Sequence, residues 1–400
     1  MTETLPSYPM IRAAGRPFDP PPQLREVDSV GRVNIWNGET PWLITGYDDL
    51  RAVLADQRFS ADPYKDGYPH QSAAIAARRM SGTRAFIAMD DPEHAWHRKM
   101  LTRNFMIKRV EEMRPRVQQI VDELIDDLLA GPKPADLVTA FALPVPSMVI
   151  CRLLGVPYAD HEFFQACSKK LISRETPVDE ALAVSDELRA YLRDLIAVKR
   201  NSPTDDMIGR LITGQLAAGE LIVDEIVDMS LLMLIAGHET TANMIGLGTL
   251  ALLEHPDQLA ELRDTHDPKL IADAVEELLR YLTIVHGGRR RVATEDVEIG
   301  GRTIRAGEGV VLATEAANRD DTAFPDPDRL DIHREARHHV AFGYGVHQCL
   351  GQPLARMELQ VVYGTLYRRI PTLRLAIPFA DVQFKHDMVV YGVHALPITW

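Results

Sequence analysis

One segment limits what this chain can fold into more than any other. Residues 222 to 252 read as a single helical run, which at 1.5 Å per residue is about 45 Å long, enough to cross the whole molecule as its central axis. Its uncharged stretch, Met229 to Gly237 between Asp228 and His238, has nine residues, far fewer than the roughly 20 a bilayer requires. The run therefore belongs in a protein core.

Around it the apolar spacing of three and four predicts further helices near 144–154, 158–172, 178–200, 255–264, 268–282 and 350–369, with long helices between Pro92 and Ala130. Val33–Trp36 and Trp42–Thr45, separated by Asn37-Gly38-Glu39-Thr40, read as a hairpin. Val292, Val297, Ile299, Ile304, Val310 and Val311, spaced by glycines, read as more sheet. The expected class is mainly α with small β-sheets (α+β). Strands near both ends, with no repeat or linker between, predict one interleaved domain over residues 1–400. Six prolines between residues 5 and 22 predict an irregular surface arm over residues 1–25.

Composition narrows the function classes. With 44 Lys and Arg against 57 Asp and Glu the net charge is −13, which disfavours nucleic-acid phosphates as a partner. The opening MTETLPSYPM has neither a basic nor an apolar region, so neither a secretory signal nor a membrane anchor is expected. Three cysteines, Cys151, Cys167 and Cys349, without a C-x-x-C pair, predict a reducing, cytoplasmic location.

Four segments carry chemistry. Phe342-Gly343-Tyr344-Gly345-Val346-His347-Gln348-Cys349-Leu350-Gly351 presents a cysteine just before a helix, where amides and the helix dipole favour a thiolate. On its residues alone this fits a metal ligand, a nucleophile or a buried structural cysteine. Ala236-Gly237-His238-Glu239-Thr240-Thr241 puts polar residues midway along the long run, where a hydroxyl often bonds back to the carbonyl one turn earlier. Glu277-Leu278-Leu279-Arg280 places an acid and a base on one helix face, the spacing of many surface pairs. His94 and Arg98 lie four apart, and Arg289-Arg290-Arg291 are consecutive. His238-Glu239 starts an H-E-x-x-H zinc motif that fails at Ala242, and Gly246-x-Gly248-x-x-Ala251 mimics a dinucleotide fingerprint with no strand before it.

The cysteine loop resembles the haem-binding signature of the cytochrome P-450 family, F-x-x-G-x-x-x-C-x-G, met at Phe342, Gly345, Cys349 and Gly351. The likeness runs from about Phe18 to Trp400 and is strongest to soluble bacterial members of the actinobacterial type. It implies a triangular prism of long helices around a buried haem b, with a central oxygen-binding helix. Cys349 would be the axial ligand of the iron, with Phe342, Gly343, Gly351 and Ala236 against the haem. His94, Arg98, Arg291 and His347 would hold its propionates, the register among Arg289 to Arg291 staying open by one position. In the family the helix opens locally to admit O2, and an acid and an alcohol at the Glu239 and Thr240 positions deliver protons. Glu277, Arg280 and Arg329 would form a buried structural clamp.

The implied reaction inserts one oxygen atom of O2 into a C–H bond of a small apolar substrate, by hydroxylation or O-dealkylation. Electrons would come from an external ferredoxin and an NAD(P)H-dependent ferredoxin reductase, because the chain has no nucleotide fingerprint and no ferredoxin cysteine spacing. A basic face of Arg98, Lys99, Arg103, Lys108, Arg109 and Arg337 would receive the ferredoxin, and the protein would be a monomer. By position the pocket takes Leu232, Ile235, Ala236, Val285 to Gly288, Val389, Val390 and the loop at 64–88, most of them small or apolar. A peroxide-driven peroxygenase, or a haem-binding sensor without turnover, are the alternatives.

Overall fold

The computed structural model describes residues 5–81 and 84–400; positions 1–4 of the arm and 82–83 of the 64–88 loop lie outside the described residues. Its helices are α1 (Tyr47–Ala55), α2 (Ala73–Arg79), α3 (Glu93–Thr102), α4 (Ile107–Ala130), α5 (Pro144–Leu154), α6 (His161–Ile172), α7 (Val178–Asn201), α8 (Met207–Leu211), α9 (Val223–Leu253), α10 (Pro256–Asp264), α11 (Pro268–Leu282), α12 (Thr314–Ala317) and α13 (Gln352–Arg369). The strands are β1 (Val30–Arg32), β2 (Trp42–Ile44), β3 (Phe59–Ser60), β4 (Ala135–Asp136), β5 (Arg289–Ala293), β6 (Val297–Ile299), β7 (Arg302–Ile304), β8 (Gly309–Leu312), β9 (Arg374–Leu375) and β10 (Pro397–Thr399).

The long run is α9, buried over most of its length. Its start is marked by Glu225, whose carboxylate accepts the Ile222 amide at 2.8 Å, satisfying a donor that the helix itself leaves free. Helices α5, α10, α11 and α13 carry proline in the first turn, where its missing N–H costs nothing. Gly248, half of the false dinucleotide motif, is a packing residue. A Cβ there would come within 2.0 Å of the Tyr363 hydroxyl of α13, which donates to the Met244 carbonyl at 2.5 Å.

The helical stretch from Pro92 to Ala130 is two helices, broken where Met106 is extended and where Asn104 donates its side chain to the Leu101 carbonyl at 3.3 Å. The hairpin forms, its regular ladder lying between Val30–Arg32 and Trp42–Ile44; Val33 and Ile35 extend it by bonds to Pro41 and Glu39. A five-stranded sheet runs β1-β2-β8-β5-β3, with β2 parallel to β8 and the other pairs antiparallel; β4-β10-β9 and β6-β7 form smaller sheets. Strands from early and late in the chain thus share one sheet.

The proline-rich arm does not simply lie over the surface. Tyr8, Met10 and Phe18 are buried, and so is Arg12. The Arg12 guanidinium donates to the carbonyls of Pro17, Phe18, Leu282 and Thr283 and stacks on Tyr391, a set of partners that makes its burial tolerable.

Candidate active site

The cysteine loop is closed by its own backbone. The Cys349 amide donates to the Phe342 carbonyl at 2.9 Å, and Gln348 N–H to Gly345 O at 3.0 Å. Gly345 has a φ of +71°, and a Cβ there would meet the Leu54 carbonyl at 2.3 Å, so no other residue fits this turn against the end of α1. Burial pushes the Cys349 thiol up; the Arg289, Arg98 and Arg356 charges and the Gly351 amide act in the opposite direction, favouring a thiolate.

Cys349 lines a largely apolar slot with Phe342, Leu350, Gly351, Leu354 and Ala355 on its own side. Leu232, Met233, Ala236, Gly237, Thr240, Thr241 and Met244 of α9 form the facing wall. One end of the slot is strongly basic. The His94 and His347 rings lie 4.0 Å apart, and Arg98 donates to the Gln348 carbonyl at 2.6 Å. Burial, then the charges of Arg291, His94, Arg98 and Arg289, push His347 down to about 3. His94 Nε2, His347 Nδ1 and Arg289 Nε are buried with no hydrogen-bond partner among the described residues. Unpartnered nitrogens and the guanidiniums of Arg98, Arg289 and Arg291 around an apolar slot that ends at a cysteine fit an iron porphyrin with two carboxylates.

The arginine run is sorted by strand alternation. Arg289 lines the slot, and Arg291, on the same side of β5, lies near His347. Arg290 turns the other way and donates to Gly287 O and Gly288 O. Arg289 was not among the expected propionate contacts, although the period-two rule groups it with Arg291.

On α9 the Thr240 hydroxyl donates to the Ala236 carbonyl at 2.7 Å, and Asn243 donates to the Glu239 carbonyl at 2.7 Å. The helix runs through unbroken, so the expected local opening is absent, and the back-bond of the simpler reading is what forms. Glu239 is buried, which raises its pKa, but His238 at 3.7 Å with Lys385 and Lys169 outweighs this, and the carboxyl titrates below its usual range. Glu239 lines two cavities. One is the chamber above Thr240, and the other also contains Lys169 and Lys385.

Glu277 and Arg280 form a two-bond pair at 2.7 and 2.8 Å with both side chains fully buried. The third member is Arg334, whose Nε lies 3.2 Å from Glu277, not Arg329. Arg329 is 68% exposed and pairs with Asp331; only its carbonyl reaches Arg280 and Arg334. The turn after Pro327 carries the chain outward at Arg329 and back at Arg334, beyond the segment that the motif picks out. Arg280 also donates to Asn318 O, and the Asn318 side chain accepts the Val340 amide at 2.8 Å, tying the clamp to the start of the cysteine loop. A second tie was not foreseen. Burial raises the pKa of Glu276, yet His339, whose Nε2 lies 3.2 Å away, and two bonds from Arg356 hold it at about 2, and Arg356 stacks on Phe342.

The chamber above Thr240, about 370 Å³, gathers Leu232, Ile235, Ala236, Val285, Gly288, Val389 and Val390. Most of its lining surface is apolar, but charged and polar groups share it: Arg78, Arg79, Arg84, Arg189, Asp228 and Ser185 on one side, and Glu239, Arg289, Arg290, Arg291 and His347 on the other. Arg78, Arg79 and Arg84 lie in the 64–88 loop, whose path no local pattern revealed. The basic face is also smaller than expected. Arg98 turns inward and Arg109 pairs with Glu112, which leaves Lys99 and Arg103 lining a shallow hollow with Met106 and Val346, and Lys108 exposed. Arg337 is exposed.

Comparison with known proteins shows the family. The sequence model of the family described as Cytochrome P450 matches residues 161–370. Cytochrome P450-SU2 of Streptomyces griseolus is 54% identical over 98% of this chain and 97% of its own. The 20-oxo-5-O-mycaminosyltylactone 23-monooxygenase of Streptomyces fradiae is 44% identical over 98% of this chain and 92% of its own. The crystal structure of GfsF superposes with a TM-score of 0.92 at 52% identity, covering 99% of this chain and 100% of that one. The chain belongs to the cytochrome P450 family, and it is an oxidoreductase of the monooxygenase kind. No described helix is long and apolar enough to cross a membrane.

Proposed function

We propose that this enzyme hydroxylates, or by the same attack O-dealkylates, a small organic molecule that is apolar where it is oxidised. The observation that carries this is Thr240, which lines both the slot ending at Cys349 and the chamber above it. Cys349 would hold the iron of haem b, and His94, Arg98, Arg289 or Arg291, and His347 its carboxylates. When bound, the group supplies oxygen activation, to which a thiolate ligand contributes electron density, a property carried over from the family.

The chain's own residues do the rest. Leu232, Val285 and Val390 exclude water and press the substrate toward Ala236, beside which Thr240 offers its hydroxyl. Glu239, ionised at neutral pH, accepts protons from the side of Lys169 and Lys385 and passes them toward Thr240. Lys99, Arg103 and Lys108 receive an acidic ferredoxin, itself reduced by an NAD(P)H-dependent reductase, and steer its approach. The protein works as a cytoplasmic monomer.

The test is the difference spectrum of the dithionite-reduced protein with and without carbon monoxide, followed by oxygen consumption with a ferredoxin system. The red-shifted band that gives the family its name, with substrate-dependent oxygen uptake, supports the reading. Equal turnover with hydrogen peroxide alone would replace it by a peroxygenase, and gas binding without turnover by a sensor.

A further inference from the structure

The chamber wall away from the slot carries a charge imbalance. Among the described residues seven arginines line the chamber; Arg289, Arg290 and Arg291 of β5 donate to backbone carbonyls, Arg84 is neutralised by Asp62 at 2.8 Å and Glu93 at 2.9 Å, and Arg189 by Asp228. Arg79 has only a neutral partner, the Tyr68 hydroxyl at 3.0 Å. Arg78 has no ion pair and no side-chain hydrogen bond among the described residues. Burial and the like charges of Arg79 and Arg189 lower its pKa to about 10.

The chamber's own carboxylates are taken, Asp228 by Arg189 and Glu239 by His238; two adjacent guanidiniums on the wall of a cavity, neither paired with a carboxylate, are costly unless something supplies the opposite charge. The groups assigned to the haem carboxylates are others: Arg98, Arg289 and His347 line the slot, the last two and Arg291 also border the chamber, and neither Arg78 nor Arg79 lines the slot. A third unused group shares the wall. Ser185 of α7 is 1% exposed, its hydroxyl has no partner among the described residues, and α2, which carries both arginines, packs on α7. Where the chamber meets the slot beside Thr240 it is lined by the apolar Ile87, Leu232, Ala236 and Val285, with Arg289 and His347 at the basic end.

We propose that the substrate is an organic acid whose carboxylate is bound by Arg78 and Arg79, with Ser185 as a further donor, and whose apolar end is presented to Thr240. Guanidinium is the side chain that matches a carboxylate with two parallel hydrogen bonds, and charge-assisted bonds of this kind are the strong ones. The arrangement sets regiochemistry as well as affinity: the oxidised carbon is remote from the carboxylate. This inference rests on the monooxygenase reading for the reaction and adds the class of substrate.

The test compares acids with their uncharged twins. Purified holoprotein is titrated calorimetrically with dodecanoic acid and methyl dodecanoate, and with 1-adamantanecarboxylic acid and its methyl ester. At least one acid should bind about 10- to 100-fold more tightly than its ester. Arg78→Met with Arg79→Met should abolish that preference while leaving the ester's affinity in place. Arg78→Met alone should raise the melting temperature of the ligand-free protein, because it removes an opposed charge. Equal binding of acid and ester, binding of neither acid, a preference that survives the double substitution, or a lower melting temperature in Arg78→Met would each overturn the proposal. The carbon monoxide spectrum of the same samples keeps the two readings apart. A red-shifted band without acid preference removes only the carboxylate site, and acid preference without the band removes only the monooxygenase.

Discussion

The carboxylate of Glu277 accepts two hydrogen bonds from Arg280, at 2.7 and 2.8 Å, in a position where neither side chain is exposed. Breaking a buried pair by removing one partner leaves the other charge uncompensated, so Glu277→Ala should lose about 3–5 kcal/mol in denaturant unfolding. Arg334→Ala should also be clearly destabilising, whereas Arg329→Ala, an exposed pair, should cost about 0–1 kcal/mol. The reverse order for Arg329 and Arg334 would return the third place in the clamp to Arg329.

Cys349→Ala should remove the red-shifted carbon monoxide band. Because Cys349 makes its loop-closing bond through its backbone amide, the apoprotein should keep its fold. Far-ultraviolet circular dichroism of the variant checks this, and a collapse of helicity would assign the side chain a structural role.

Thr240→Ala removes a hydroxyl whose bond is to a carbonyl of its own helix. Such a change should alter stability by less than about 1 kcal/mol, while diverting electrons from product to hydrogen peroxide. Product formed per NAD(P)H consumed is the measurement, and unchanged coupling would remove Thr240 from the proton path.

His286 is 2% exposed, and neither ring nitrogen has a partner among the described residues. Burial, then Arg12, Arg174 and His386, push its pKa from 6.5 to about 2, and Tyr391 packs beside it. Below pH 6.5 the unfolded chain takes up a proton here that the folded chain refuses. Stability should therefore fall as pH drops below 6.5, by up to ~1.4 kcal/mol per pH unit from this group, and be indifferent to it above. His286→Phe should flatten that slope in unfolding measured between pH 4 and 8, by roughly the amount given for one histidine.

Charge reversal at Lys99 and Arg103 should raise the KM for an acidic ferredoxin on the order of tenfold at low ionic strength, and high salt should shrink the difference. Arg109→Glu, a residue already paired with Glu112, should do much less. Equal effects at all three positions would point to net charge alone, without a docking face.

Much of the helical frame was legible because long helices announce themselves by period. Helix α9 begins at Val223 where the run at 222 predicted it, and α11 begins and ends as expected. The cysteine loop was legible because its glycines stand at a fixed spacing around Cys349. What escaped depends on contacts distant in sequence. Arg334 reaches Glu277 only because the chain between them turns outward and returns, and Arg12 is buried by carbonyls at 282 and 283 that no local pattern shows. The arginines of the chamber escaped for another reason: in a stretch rich in Ala, Arg and Gly, a charged residue facing a cavity looks like one facing water.

The sharing of one sheet between β2 and β8 has a consequence for how the protein comes into being. Leu43 pairs with Val311, so an early-synthesised strand waits for most of the chain before its parallel neighbour exists. The slot waits longer, since its walls come from α3, α9, β5 and the loop at Cys349. Cofactor loading is therefore a late event on the ribosome or follows release, and until then β2 offers an unpaired edge that makes the nascent chain a client for chaperones.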